Sequence, residues 1–196
     1  MTFLDITKRT RRTLGVRLLQ WAAVVFVAAL STGATPLFAA AAAELKAAYL
    51  LNFARLSYWP EESFVSKKAP LVICGLPFDP VVSALREQVG LQVQDRPVHI
   101  FTIRSFDERS QCHLLYLYRK PDSVEGRLLP SRGVLLVGDY QGFLEQGGAI
   151  LFFIERGKLR FEISAESAQA AGVELSARLR NLGRPQNITL PKEPVR

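Results

Sequence analysis

The sequence predicts an α/β fold: a single domain with a mostly parallel sheet, flanking helices and a C-terminal β-hairpin. Three observations carry that expectation. Leu71–Cys74, His113–Tyr118 and Gly133–Val137 are short apolar runs without polar alternation, the pattern of strands covered on both faces. Between them lie segments with helical spacing, and strands alternating with helices are the mark of a parallel sheet. After Gly147-Gly148 the pattern changes to two strand-like runs, Ala149–Ile154 and Leu159–Ile163, joined by the tight-turn sequence Glu155-Arg156-Gly157-Lys158.

The chain begins with a segment of a different kind. Lys8, Arg9, Arg11, Arg12 and Arg17 precede an apolar run from Leu18 to Leu30 that only Gln20 interrupts; a break at Ser31–Pro36 and the alanine-rich Ala39–Ala43 follow. A basic n-region, a short apolar h-region and small residues before a cleavage point describe a secretory signal peptide over residues 1–43, cut near Ala39–Ala43, after Ala41 or Ala43. A membrane anchor would need about 20 continuous apolar residues, and this run is shorter. Thr10-Arg11-Arg12-Thr13-Leu14 also partly matches a twin-arginine export signal. The rest is therefore read as exported and periplasmic: a domain over residues 44–183 and a flexible tail over 184–196.

Within that domain, Ala41–Tyr58 reads as a helix with Leu45, Tyr49, Leu50, Phe53 and Leu56 on its apolar face, stopped by Pro60. Pro70 precedes the strand Leu71–Cys74. Pro77-Phe78-Asp79-Pro80 turns into a helix with Val81, Val82, Leu85 and Val89 inward, closed by Gly90. Pro97–Ile103 and His113–Tyr118 read as strands, Pro121–Leu129 as a helix, and Gly133–Val137 as an apolar strand ending at Gly138-Asp139. Beyond the hairpin, Ala165–Ala171 and Leu175–Leu182 read as helices stopped by Gly172 and Gly183. The tail carries Pro185, Pro191 and Pro194, and the sequon Asn187-Ile188-Thr189 falls within it.

Composition excludes several functions. The formal charge of +7 over 196 residues is mostly a property of the leader; residues 44–196 carry about +3, with no basic stripe, so nucleic acid is not an expected partner. His99 and His113 are the only histidines and lack ligand spacing, so no metal site is expected, and no cofactor motif is present. No Gly-x-Ser-x-Gly elbow or Ser-x-x-Lys pair appears, and no catalytic residue is assigned. Gly138-Asp139-Tyr140-Gln141-Gly142-Phe143 lies at the carboxyl end of a strand, where open α/β sheets place ligands, but Asp139 reads more simply as a helix cap. Arg160, Glu162, Glu166 and Arg178 are charges beside the hairpin. In an oxidising compartment Cys74 and Cys112 most simply make one disulfide, the alternative being two buried thiols. A sheet order pairing the first and third strands would bring them together. The aromatic cluster Phe53, Tyr58 and Trp59 exceeds what a short helix hides and marks a candidate docking surface, with Arg160 and Glu162 as further candidates; the alternative is that Trp59 plugs the sheet edge.

Lys46-Ala47-Ala48-Tyr49-Leu50-Leu51-Asn52-Phe53-Ala54-Arg55 with Tyr58-Trp59-Pro60 resembles the opening helix of the YfiR/HmsC-like family. The likeness continues through Val72-Ile73-Cys74, Arg96-Pro97, Cys112-His113-Leu114-Leu115, Leu136-Val137-Gly138-Asp139 and Gly142-Phe143. It closes with Gly147-Gly148-Ala149-Ile150, Arg160-Phe161-Glu162-Ile163, Ala170-Ala171-Gly172 and Ser176-Ala177-Arg178-Leu179, covering about residues 45–182. The resemblance implies a non-enzymatic periplasmic α/β domain, often a homodimer, that binds the periplasmic sensor domain of an inner-membrane diguanylate cyclase. Repression of that enzyme lowers cyclic di-GMP and biofilm formation. It also implies sequestration by an outer-membrane lipoprotein and a family disulfide at Cys74 and Cys112. A second cysteine pair near the hairpin is missing; Leu151, Phe152 and Phe153 stand there. A periplasmic protein that binds a small ligand and reports to a sensor kinase or transporter is the other reading.

Overall fold

Strands buried on both faces must alternate side chains between two cores, and that alternation organises this chain. The computed structural model describes residues 35–185 apart from positions 89, 123, 125, 129 and 130, and no side chains before residue 39. The basic and apolar parts of the expected signal, Val89, parts of the helix expected over Pro121–Leu129, and the tail beyond Pro185 with its sequon lie outside the described residues. The chain divides into two compact units, Met1–Ala42 and Ala43–Arg196, and the sheet and both cores belong to the second.

In order, the elements are α1 (Thr35–Arg55), β1 (Ser57–Tyr58), a 3-10 turn (Glu61–Ser63), β2 (Leu71–Gly75), α2 (Pro80–Arg86), β3 (Gln92–Val93), β4 (Arg96–Thr102) and a second 3-10 turn (Phe106–Gln111). Then come β5 (Leu114–Leu117), β6 (Leu135–Gly138), β7 (Ile150–Glu155), β8 (Lys158–Ile163), α3 (Ala165–Ala170), β9 (Glu174–Leu175), α4 (Ala177–Leu182) and β10 (Arg184–Pro185). The main sheet has eight strands in the order β10-β8-β7-β6-β5-β2-β4-β3. Strands β4, β2, β5, β6 and β7 run parallel; β8 turns back antiparallel on β7 to make the expected hairpin, and β3 is antiparallel to β4. The hairpin turns on Arg156 and Gly157, both at positive φ (50° and 73°), the pairing a two-residue turn of this hand requires.

Leu71 and Ile73, Leu114 and Tyr116, and Leu135 and Val137 face one core together with Ala47, Leu50 and Phe53 of α1. Cys74, Leu115, Leu117 and Leu136 face the other, covered by Phe106, Val124, Leu128, Phe143 and Leu144 from turns and loops. One face is thus roofed by helices and the other largely by irregular chain.

The order reverses between β2 and β5, so the first and third long strands are neighbours and the Cys74–Cys112 disulfide forms, with Cα atoms 5.7 Å apart. Straight extension of β5 would set Cys112 about 10 Å further down the ladder. Instead the chain enters β5 from the second 3-10 turn, which carries Cys112 over the sheet face and into the same core as Cys74.

Five expectations need correction. Helix α1 ends at Arg55, and Tyr58 lies in β1, paired with Glu174. Its buried face is Ala43, Ala47, Leu50, Leu51, Phe53 and Ala54, with Tyr49 and Leu56 packed against the core; of the expected face only Leu45 is exposed, and small alanines allow close approach to the sheet. The described residues of 121–129 are turn and irregular chain: Gly126 takes φ 88°, and the Leu128 N–H is drawn to the carbonyl of Gln146. Leu175 belongs to β9 rather than to a helix over 175–182, and Arg184–Pro185 is a short strand beside β8, not frayed tail.

Candidate functional site

Two adjoining hollows lie where α1, the hairpin and α4 meet. One, of about 330 Å³, is lined by residues including Phe153, Leu159, Arg160 and Arg184; the other, of about 260 Å³, by Phe53, Arg55, Leu56 and Arg178. Both share Tyr49, Phe161 and Leu182, so they form one groove with an apolar floor. Leu182 is 62 % exposed there, an apolar side chain that folding leaves to solvent. Beneath it Phe53 packs against Phe161 (4.9 Å between centroids) and Phe152 (5.5 Å). Arginines 55, 160, 178 and 184 make the rim; Arg184 is held by Glu155 at 2.6 Å and lies over Phe153.

The candidate docking residues are therefore split between places. Phe53 is 1 % exposed and supports the groove from below. Arg160 is exposed on the rim, and Glu162 is half-buried two residues along the same strand. Tyr58 and Trp59 line neither hollow. Tyr58 is exposed, whereas Trp59 is half-buried and its indole N–H donates to the His113 carbonyl at 3.1 Å. Glu166 and Arg178 are both exposed.

The His113 ring plugs the amino ends of the strands. Its Nδ1 accepts from the Val72 N–H (3.0 Å), which leaves Nε2 to donate to the Ser63 carbonyl (3.0 Å). Phe64 stacks on the imidazole at 4.3 Å, and the Arg96 guanidinium covers Phe64 at 3.6 Å. Burial holds the His113 pKa below its ordinary 6.5.

At the opposite, carboxyl ends of the strands is a polar cluster that sequence reasoning missed. Lys46 of α1 pairs with Asp139, and the Tyr116 hydroxyl donates to the same carboxylate oxygen at 3.2 Å. Asp79 lies close to this pair and is 2 % exposed; its Oδ1 caps α2 through the Val81 N–H (2.8 Å), while Oδ2 has no partner. Burial raises the Asp79 carboxyl above its usual range, and burial with the nearby carboxylates raises the Tyr116 phenol. Asp139 is no helix cap, since turns follow it; it ties α1 to the end of β6. The lone lysine in an alanine-rich helix was the available signal. Chemically the cluster is a tether: its lysine is already neutralised, and it holds no serine or cysteine nucleophile beside a free base. Among the described residues no group of three or more His, Cys, Asp or Glu could hold a metal ion.

Fold and site together define a disulfide-closed, single-domain α/β protein with a mixed eight-stranded sheet and an arginine-rimmed groove. Comparison with family models matches residues 43–184 to the family described as YfiR/HmsC-like. That span is nearly the whole domain, and the chain belongs to this family. A search of curated proteins finds no match.

Proposed function

We propose that this protein is an exported, non-catalytic regulator that docks on the periplasmic domain of an inner-membrane diguanylate cyclase and represses it, lowering cyclic di-GMP. Family membership across the whole domain carries the reading. The groove between α1, the hairpin and α4 supports it, because an apolar floor with a basic rim is the anatomy of a protein-binding surface. The leader over residues 1–43 would deliver the chain to the compartment where such a sensor domain faces, and an outer-membrane lipoprotein could withdraw it. The test is direct. Deleting the gene raises cellular cyclic di-GMP, and the full-length form reverses this while a form lacking residues 1–43 does not. In purified material, Arg160→Glu with Leu182→Asp weakens binding to the sensor domain at least tenfold at unchanged melting temperature. Unaltered cyclic di-GMP in the deletion strain would overturn the reading. The groove's volume also suits a small ligand, and saturable binding of one without any cyclase effect would favour the alternative of a ligand-binding reporter to a kinase or transporter.

A further inference from the structure

Phe78 serves neither the backbone nor the core. It takes φ 61°, a left-handed conformation in which a bulky side chain is strained, and its ring is fully exposed. The loop carrying it is nonetheless fixed. Pro77 and Pro80 bracket it, and Asp79 is buried and caps α2 through the Val81 N–H at 2.8 Å. Strain of this kind persists where the surroundings impose it, and an observed outlier is a reason to look for a function. Here the strained loop holds an aromatic ring out in water just past the carboxyl end of β2.

Other apolar side chains are exposed at the same end of the sheet. Leu117 stands level with Gly138, and Gly138 with Leu151. Tyr118 lies one residue past that level, Ile154 three, and Phe78 two, counted on β2 from the Cys74–Leu115 pair. All three are exposed, so they form a row across the strand ends within two residues' rise of one another, roughly 7 Å. The charges among them are mainly basic. Arg119, Lys120 and Asp122 follow β5, and Glu155, Arg156 and Lys158 turn the hairpin. Asp122 pairs with Arg119 and Glu155 with Arg184, so Lys120, Arg156 and Lys158 keep no carboxylate partner among the described residues. The turn after β4 is balanced, with Arg104 and Arg109 against Asp107 and Glu108. We propose that this end of the domain docks on an anionic phospholipid surface: Phe78, Tyr118 and Ile154 enter the headgroup layer, and Lys120, Arg156 and Lys158 meet lipid phosphates. A protein interface has a contiguous apolar centre depleted of charge. Separate apolar tips with lysine and arginine between them suit a lipid surface better, because it takes rings at its apolar boundary and cations at its phosphates.

The test is flotation of the exported protein with vesicles of phosphatidylcholine alone and of phosphatidylcholine mixed with phosphatidylglycerol. Binding to the mixed vesicles should be at least about tenfold tighter, since each lysine or arginine at an anionic surface contributes about fivefold, and it should fall as salt is raised. Phe78→Gly should weaken that binding by about tenfold or more, the loss of one buried aromatic ring. Its melting temperature should not fall, because glycine takes φ 61° without strain. Val65→Gly is the control: Val65 is equally exposed but follows Phe64, which stacks on His113 at the opposite, amino ends of the strands, and its loss should leave binding unchanged. Binding to the mixed vesicles no tighter than to phosphatidylcholine overturns the proposal, and this comparison decides even where a variant fails to fold. Equal losses from Phe78→Gly and Val65→Gly overturn it too. So does a Phe78→Gly defect in binding the cyclase sensor domain when the vesicles take up no protein, which would make the ring a knob for a protein pocket.

Discussion

At the scale of single residues, the tightest packing is at Phe143, which is fully buried between two glycines. A Cβ on Gly138 would stand 2.5 Å from its ring, and one on Gly148 only 2.0 Å from it. Gly148→Ala should therefore cost about 2 kcal/mol of stability by overpacking, read as a lower denaturation midpoint. Adding Phe143→Leu should recover part of the loss, and no recovery would mean the clash lies elsewhere. His113 supplies a pH dependence. Because its folded pKa lies below the unfolded value, the unfolded chain takes up the proton first. Stability is whole above about pH 6.5 and declines as pH falls through that value toward the folded pKa. His113→Gln should flatten the fall in melting temperature below pH 6.5. Neither residue's role was legible beforehand: the sequence marks Gly148 only as part of a turn, and His113 only as a histidine in a strand.

At the scale of elements, α1 shows where pattern reading succeeds and where it slips. Its existence and most of its inward face followed from apolar spacing: Leu50 and Phe53 are buried and Tyr49 and Leu56 pack against the core, but Leu45 is exposed and the alanines were overlooked. The sheet takes alanines alongside the large residues: Ala47 and Ala54 are 0 % exposed, while Leu45 is 48 % exposed. Ala47→Leu would thus have nowhere to go, and should destabilise by about 1–3 kcal/mol, whereas Leu45→Ala should lie within about 0.5 kcal/mol of the parent. Equal effects in thermal unfolding would show that α1 sits more loosely on the sheet than its burial indicates. The expected helix over Pro121–Leu129 failed for a different reason. Gly126 takes a positive φ, and Leu128 makes its backbone bond to a neighbouring turn, contacts that only the assembled fold supplies.

At the scale of the molecule, the sheet was legible because strands covered on both faces must be apolar throughout. The groove and the Lys46–Asp139–Tyr116 cluster were not, because each gathers side chains from several elements far apart in sequence. The two faces now imply different stabilities. One core is roofed by α1, α2, α3 and α4; the other is closed by turns, loops and the Cys74–Cys112 bridge, which spans 38 residues and is worth roughly 4 kcal/mol on the chain-entropy model. Reduction should therefore act on one side. Amide exchange after reduction should accelerate in the 3-10 turn Phe106–Gln111, whose end is tied at Cys112, and in the loops over Leu117 and Leu136. Exchange in α1 should stay near its oxidised rate until global unfolding. If α1 accelerates in step with the turn at low denaturant, the two cores open as one cooperative unit, and the bridge supports the entire domain rather than its loop-covered face.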